Sequence, residues 1–170
     1  GLYSPQKGRI SLGEQRVEKM LPPERSALGF SRSFQHVALC PELTVLENVV
    51  IGLHRHSKAG WLDAFLPLPG GRKERARNYE QAHAALARLG IAGVADEMPA
   101  QLPPGVLRLA EIARATAGEP RVLLLDEPAA GLNSEETREL SAALKSLRSP
   151  DLVLVVVEHD MDLIMDVCDT

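Results

Sequence analysis

The rhythm of apolar positions changes along the chain, and each change marks a different kind of element. Over residues 1–35 short apolar alternations are broken by Gly8, Gly13, Pro22, Pro23 and Gly29, which predicts short strands and a helix start, with no long element. Leu43, Leu46, Val49, Val50 and Leu53 then recur at helical spacing, so one face of a short helix is expected to be apolar. A loop holding Pro67, Pro69, Gly70 and Gly71 leads to a basic stretch, Arg72, Lys73, Arg75 and Arg77, that opens a second helix. The apolar stripe of this helix is Ala82, Ala85, Leu86 and Leu89, and Gly90 is placed to end it. Beyond Pro99 a helix is expected over Arg108–Ala117, a buried strand over Arg121–Leu125, a helix over Ser134–Leu147 and a second buried strand over Leu152–Val157. Helices alternating with continuously apolar strands predict a parallel sheet covered on both faces. Leu140, Ala143, Leu144 and Leu147 form the packing face of the Ser134 helix, and Asn133 with Glu136 three residues later has the form of a capping box.

Composition narrows the class. At 170 residues, 45% hydrophobic and 25% charged, the chain can bury a core and is about the size of one domain. A net charge of -4 with one Trp, two Tyr and three Phe offers neither the basic footprint nor the stacking platform of a nucleic-acid binder. Cys40 and Cys168 lie far apart without metal-ligand spacing, which fits a reducing compartment and small buried roles. The longest apolar run, Leu152–Val157, falls far short of a bilayer span, and no basic-then-apolar leader opens the chain. A soluble chain is expected, with any membrane role carried by a partner. The opening Gly-Leu-Tyr, running into a turn at Ser4, Pro5 and Gln6, reads as the end of a helix that began earlier.

Four segments carry candidate chemistry. Val122–Pro128, V-L-L-L-D-E-P, is an apolar strand delivering two carboxylates at its carboxyl end, where open α/β sheets bind ligands. Taken alone it reads equally as a core strand emerging into acidic surface residues. Adjacent carboxylates point in different directions, so Asp126 can hold Mg²⁺ through water while Glu127 polarises the water that attacks a γ-phosphate. Glu158-His159-Asp160 follows the second buried strand, 32 residues after Glu127 in the case of His159. An isolated histidine is usually structural, but parallel neighbouring strands would bring His159 to the same sheet edge, where it can donate to a phosphate and orient water. Gln35 is by default a solvated loop residue, yet its amide can sense both a metal-bound and an attacking water. Gln101–Arg108 is either a proline-rich linker or a helix amino terminus aimed at an anion.

Gln35, the Leu102–Arg108 turn, V-L-L-L-D-E-P, the segment Ala129-Ala130-Gly131-Leu132-Asn133 and His159 resemble, in order and spacing, the motifs of the ATP-binding cassette ATPases. They match the Q-loop, signature motif, Walker B, D-loop and switch histidine. E-P-A-A-G-L-N, F-Q-H-V before E-L-T-V-L-E-N-V, and the insert from Trp61 to Arg77 look like the ATP-binding subunits of branched-chain amino-acid importers. The resemblance implies an α/β fold: a P-loop NTPase-like parallel sheet core, incomplete here, with an inserted α-helical subdomain. The implied division is 1–44 as partial core with the Q-loop, 45–117 as helical subdomain ending in the signature helix, and 118–170 as core with Walker B, D-loop and switch histidine. It further implies ATP and Mg²⁺ as cofactors, Glu127 and His159 as catalytic residues, and Gln35, Gly105 and Asn133 as nucleotide contacts. Asp126 and Gln35 would serve the metal. The implied partners are transmembrane permease subunits and a second ATP-binding subunit, without nucleic acid, at the cytoplasmic face of the membrane.

Two departures stand against the pattern. Where the family carries L-S-G-G-Q, this chain has Leu102, Pro103, Pro104, Gly105 and Val106, and the two prolines remove N–H donors from an anion site. No G-x-x-x-x-G-K-[ST] occurs in the 170 residues. The resemblance places that loop, with its strand, before Gly1 and further elements after Thr170, so these 170 residues are expected to be inactive alone, and to form either an aggregation-prone or marginal domain or a sheet with a gap beside Walker B. Two readings follow: an ATP-hydrolysing subunit, or a non-catalytic module that docks a permease without turnover. A chromosome-maintenance ATPase would need long heptad stretches that the sequence lacks.

Overall fold

The computed structural model describes residues 7–33, 39–53 and 69–169, with only the backbone described at 69–72. Gln35, Trp61 and the insert up to Leu68 lie outside the described residues. In chain order the elements are β1 (Ser11–Leu12), β2 (Gln15–Arg16), α1 (Pro22–Ala27), β3 (Phe30–Arg32), α2 (Val45–Gly52) and α3 (Pro69–Arg88). They continue with α4 (Pro104–Thr116), β4 (Val122–Asp126), α5 (Ser134–Ser146), β5 (Val153–Val157) and α6 (Met161–Val167).

The α/β class expected from the alternation is what the chain adopts. β1 and β2 form a small antiparallel hairpin, and β3, β4 and β5 form a parallel sheet in that order. β4 is central: Phe30, Ser31 and Arg32 pair with Val122, Leu123 and Leu124, and Val122–Asp126 pair in register with Val153–Val157. Leu123 and Leu125 are almost wholly buried. Both sides of β4 are therefore occupied, so the expected gap beside this strand is absent, and the outer strands of the described sheet are β3 and β5. Double-sided cover fails at β5. Leu154 and Val156 turn toward the core, whereas Val153, Val155 and Val157 are 55%, 42% and 55% exposed. An unbroken apolar run implies burial on both faces, but only one face of β5 meets a described element.

The helical unit is organised by α2. Thr44 Oγ1 accepts the Glu47 N–H and the Glu47 carboxylate accepts the Thr44 N–H, so both orphan donors at the helix start are satisfied. Asn48, fully buried on this helix, accepts the Cys40 N–H and donates to the carbonyls of Cys40, Leu43 and Thr44. These bonds remove the penalty of burying an amide and fix the entering loop. α2 crosses α4 so closely that a Cβ on Gly52 would lie 2.2 Å from the Arg114 carbonyl oxygen. α3 buries Ala82 and Leu86, and the turn after its last residue, Arg88, buries Leu89 and closes at Gly90, whose φ of +76° a side chain would disfavour. It begins at Pro69, three residues ahead of the expected basic start.

α4 begins at Pro104, four residues earlier than the apolar pattern predicts. Proline suits a first helical turn because its missing N–H has no ladder partner there. The shift puts Arg108 inside the helix, 4% exposed, where its Nη1 donates to the 1%-exposed Glu111 at 2.9 Å. One apolar cluster runs from Val45 and Leu86 through Ile112 and Leu123 to Leu144 and Leu163, crossing the expected boundary at 117/118 without a break. α5 and α6 are joined by Asp166, which accepts from Lys145 and Ser141, and by Arg148, which donates to the Val167 carbonyl.

Candidate active site

β4 carries the site because its apolar residues are anchored in the core and its last residue emerges at the carboxyl edge of the sheet. The Glu127 N–H continues the ladder by donating to the Val157 carbonyl at 2.8 Å, and the chain then turns sharply, with Glu127 at φ +47°. A non-glycine residue in the left-handed region is a strained position, held here by flanking hydrogen bonds. The turn separates the two carboxylates.

Asp126 faces β3. Arg32, the last residue of that strand, donates from Nη2 to Asp126 Oδ2 at 2.7 Å. Glu127 faces the end of β5, where His159 Nε2 lies 3.2 Å from Glu127 Oε1. The imidazole is 84% exposed and the Glu127 side chain 28% exposed, so the pair opens to solvent. Glu158 braces it: Oε2 accepts the His159 N–H and Oε1 accepts the Ala129 N–H, each at 2.8 Å. Asp160 has a structural task, capping α6 through the N–H groups of Asp162 and Leu163.

The other candidate positions gather around α4 and α5. Asn133 caps α5, its Oδ1 accepting the N–H groups of Glu135 and Glu136. Glu136 returns the contact by accepting the Asn133 N–H, and its other oxygen accepts the Gly105 N–H at 3.0 Å. These two backbone bonds, Asn133 first and Gly105 second, hold the Glu136 carboxyl below its ordinary value, with burial acting weakly the other way. The α4 ladder starts with the Leu107 N–H on the Pro103 carbonyl, so Gly105 and Val106 supply the amides of the first turn. The structure thus brings Asp126, Glu127 and His159 to one sheet edge, and Gly105 and Asn133 to the facing starts of two helices. Gln35 lies outside the described residues.

Sequence reasoning missed Arg32, Glu158 and the reach of Glu136 to Gly105. Arg32 had a signal: a cation ending a strand that pairs with β4 must reach the edge where Asp126 emerges. Glu136 was legible only as a local cap, because its second contact spans 31 residues.

The sequence model of the ABC transporter family matches residues 1–130 of this chain. The chain belongs to that family. It is 36% identical over 170 residues to the high-affinity branched-chain amino acid transport ATP-binding protein LivG of Salmonella typhimurium, covering 99% of this chain and 67% of that protein. Among solved structures, a nucleotide-free ATP-binding cassette from an ABC transporter superposes with TM-score 0.78 at 25% identity, covering 99% of this chain and 66% of the cassette. A dimeric bacterial ABC transporter cassette gives TM-score 0.71 at 26% identity over 97% of this chain and 68% of its own. This ABC chain therefore spans about two thirds of the length of its relatives. No helix among the described residues is long and apolar enough to cross a membrane.

Proposed function

We propose that this chain belongs to the ATP-binding and ATP-hydrolysing subunit of an importer, and that the importer carries branched-chain amino acids. The observation that carries the catalytic part is the Glu127–His159 pair, 3.2 Å apart at the carboxyl edge of a parallel sheet in an ABC chain. Glu127 is the general base toward the attacking water, and His159 is the donor that steadies the γ-phosphate and that water. Asp126 would hold Mg²⁺ through water, with Gln35 as the second residue serving the metal. A single carboxylate suits a small hard cation that keeps most of its waters, and no larger cluster of ligating side chains occurs among the described residues. Mg²⁺ would supply charge neutralisation at the phosphates, and Arg32 holds the carboxylate in place at the sheet edge. Gln35 senses the metal and its water, and the first turn of α4 with Asn133 approaches nucleotide across a dimer with a second ATP-binding subunit. Residues 45–117 dock the permease at the cytoplasmic membrane face.

The amino-acid assignment rests on similarity to LivG. Uptake by the complete transporter in proteoliposomes tests it: leucine, isoleucine or valine should accumulate when ATP is supplied, and transport confined to sugars, metals or lipids overturns the substrate while leaving the motor.

One observation favours a second reading, a docking module without turnover. Pro103 and Pro104 donate nothing at the start of α4, and the Gly105 amide is engaged by Glu136. ATP hydrolysis by the complete protein, abolished by Glu127→Gln, decides for the motor; no phosphate release above background by the complete protein decides against it.

A further inference from the structure

The first turn of α4 has no side-chain cap of its own, since its N-cap is Pro103. Helix starts left in this way expose orphan N–H groups and a partial positive charge. Here the missing acceptor comes from 31 residues away: Glu136 Oε1 takes the Gly105 N–H while Oε2 takes the Asn133 N–H at the start of α5. One carboxylate thus lies between two helix amino termini, each of which favours negative charge. Space has been made for it. Gly105 is buried, and a Cβ there would come within 2.9 Å of Glu136 Cγ, so only glycine lets the carboxylate approach the backbone.

We infer that Glu136 is a positioning residue that clamps the start of α4 to the start of α5, so that the turn carrying Gly105 and the segment ending at Asn133 move as one body. The charge surroundings leave the two amides in control. The first turn of α4 has no acidic residue, Arg108 is buried against Glu111, and on α5 Arg138 donates to the Ser134 carbonyl while Glu135 is exposed. The clamp itself is independent of ATP turnover; its meaning for catalysis rests on the motor reading, because it ties an element proposed to meet nucleotide to the segment that follows Glu127.

The test is a pH titration of the full chain selectively ¹⁵N-labelled at glycine and asparagine. The amide protons of Gly105 and Asn133 should shift together, with one midpoint below the ordinary glutamate value of 4.5. Glu136→Gln should abolish both titrations and accelerate hydrogen exchange at Gly105 by at least about tenfold. Glu136→Asp, one methylene shorter, should keep the Asn133 titration and lose that of Gly105. Gly105→Ala should likewise keep the Asn133 titration. A Gly105 amide that does not titrate while Asn133 does would show that Glu136 only caps α5, and that outcome overturns the clamp whether or not the protein hydrolyses ATP.

Discussion

The divergence of Asp126 and Glu127 is made by one backbone angle. Glu127 at φ +47° turns its carboxylate away from Arg32 and toward His159, so neighbouring residues of the same chemistry meet different partners. In the complete protein Glu127→Gln should lower ATP hydrolysis by at least about a hundredfold while nucleotide binding persists, because the amide keeps the shape but accepts no proton. Turnover within a few fold of the parent would remove Glu127 from the base role. His159→Ala should cost about a hundredfold in rate with little change in urea stability, since the ring is 84% exposed. A stability loss with an unchanged rate would mark the histidine as structural. Acid sensitivity is also decided by single carboxylates. Asp166 is held below its ordinary value of 3.8 by the hydrogen bonds from Lys145 and Ser141, and Glu136 below 4.5 by the amides of Asn133 and Gly105. For groups depressed in the folded state, the stabilisation is present above the unfolded value and lost as pH falls through the folded one. Urea midpoints should therefore be level near neutrality and decline below about pH 4.5. Asp166→Asn and Glu136→Gln should each flatten that decline, and an unaltered slope in both would assign acid sensitivity elsewhere.

At the scale of elements, the helical unit depends on how near α2 and α4 approach. Gly52 sits at the crossing, where any Cβ would overlap the Arg114 carbonyl. Gly52→Ala should destabilise the protein by about 1–3 kcal/mol as the helices are forced apart. Gly93→Ala is the matched control, because nothing lies within 4 Å of its added carbon. Equal urea midpoints for the two variants would show that the crossing is looser than the backbone indicates. The early start of α4 belongs to this scale as well. Two prolines read as a linker when the apolar period is the guide, but Pro104 is pre-set for a first helical turn, and the helix extends back to meet Glu136.

For the molecule as a whole, the open side of β5 is the feature with consequences. Val153, Val155 and Val157 are exposed on a strand whose outer edge has no partner among the described residues, beside a groove of about 690 Å³ that Val153, Val155, Leu147 and Val167 line. Exposed apolar strand edges invite pairing between chains. The isolated 170-residue polypeptide should self-associate at micromolar concentration, and Val155→Lys should shift it toward monomer in analytical ultracentrifugation. The same polypeptide should bind Mg-ATP poorly. No G-x-x-x-x-G-K-[ST] occurs in its 170 residues, and losing two charge-assisted bonds of about 1.5–3 kcal/mol each weakens affinity roughly a hundredfold to ten-thousandfold. Calorimetry returning a dissociation constant in the low micromolar range would show that another segment grips phosphate.

The sequence by itself determined the α/β alternation, the apolar faces of α2, α3 and α5, the cap at Asn133, and the candidate residues Asp126, Glu127 and His159. Each is written within one or two turns of chain, where periodicity and capping chemistry act, or in a motif whose residues are adjacent. Only the tertiary structure decided that Arg32 pairs with Asp126, that Glu158 holds Ala129, that Glu136 reaches Gly105, and that β5 buries one face instead of two. Those contacts join residues between 29 and 94 positions apart, or depend on which neighbour a strand receives. Local pattern carries no term for either, because an apolar run looks the same whether one face of it or both are covered, and a carboxylate that caps its own helix gives no sign in the sequence of its second partner.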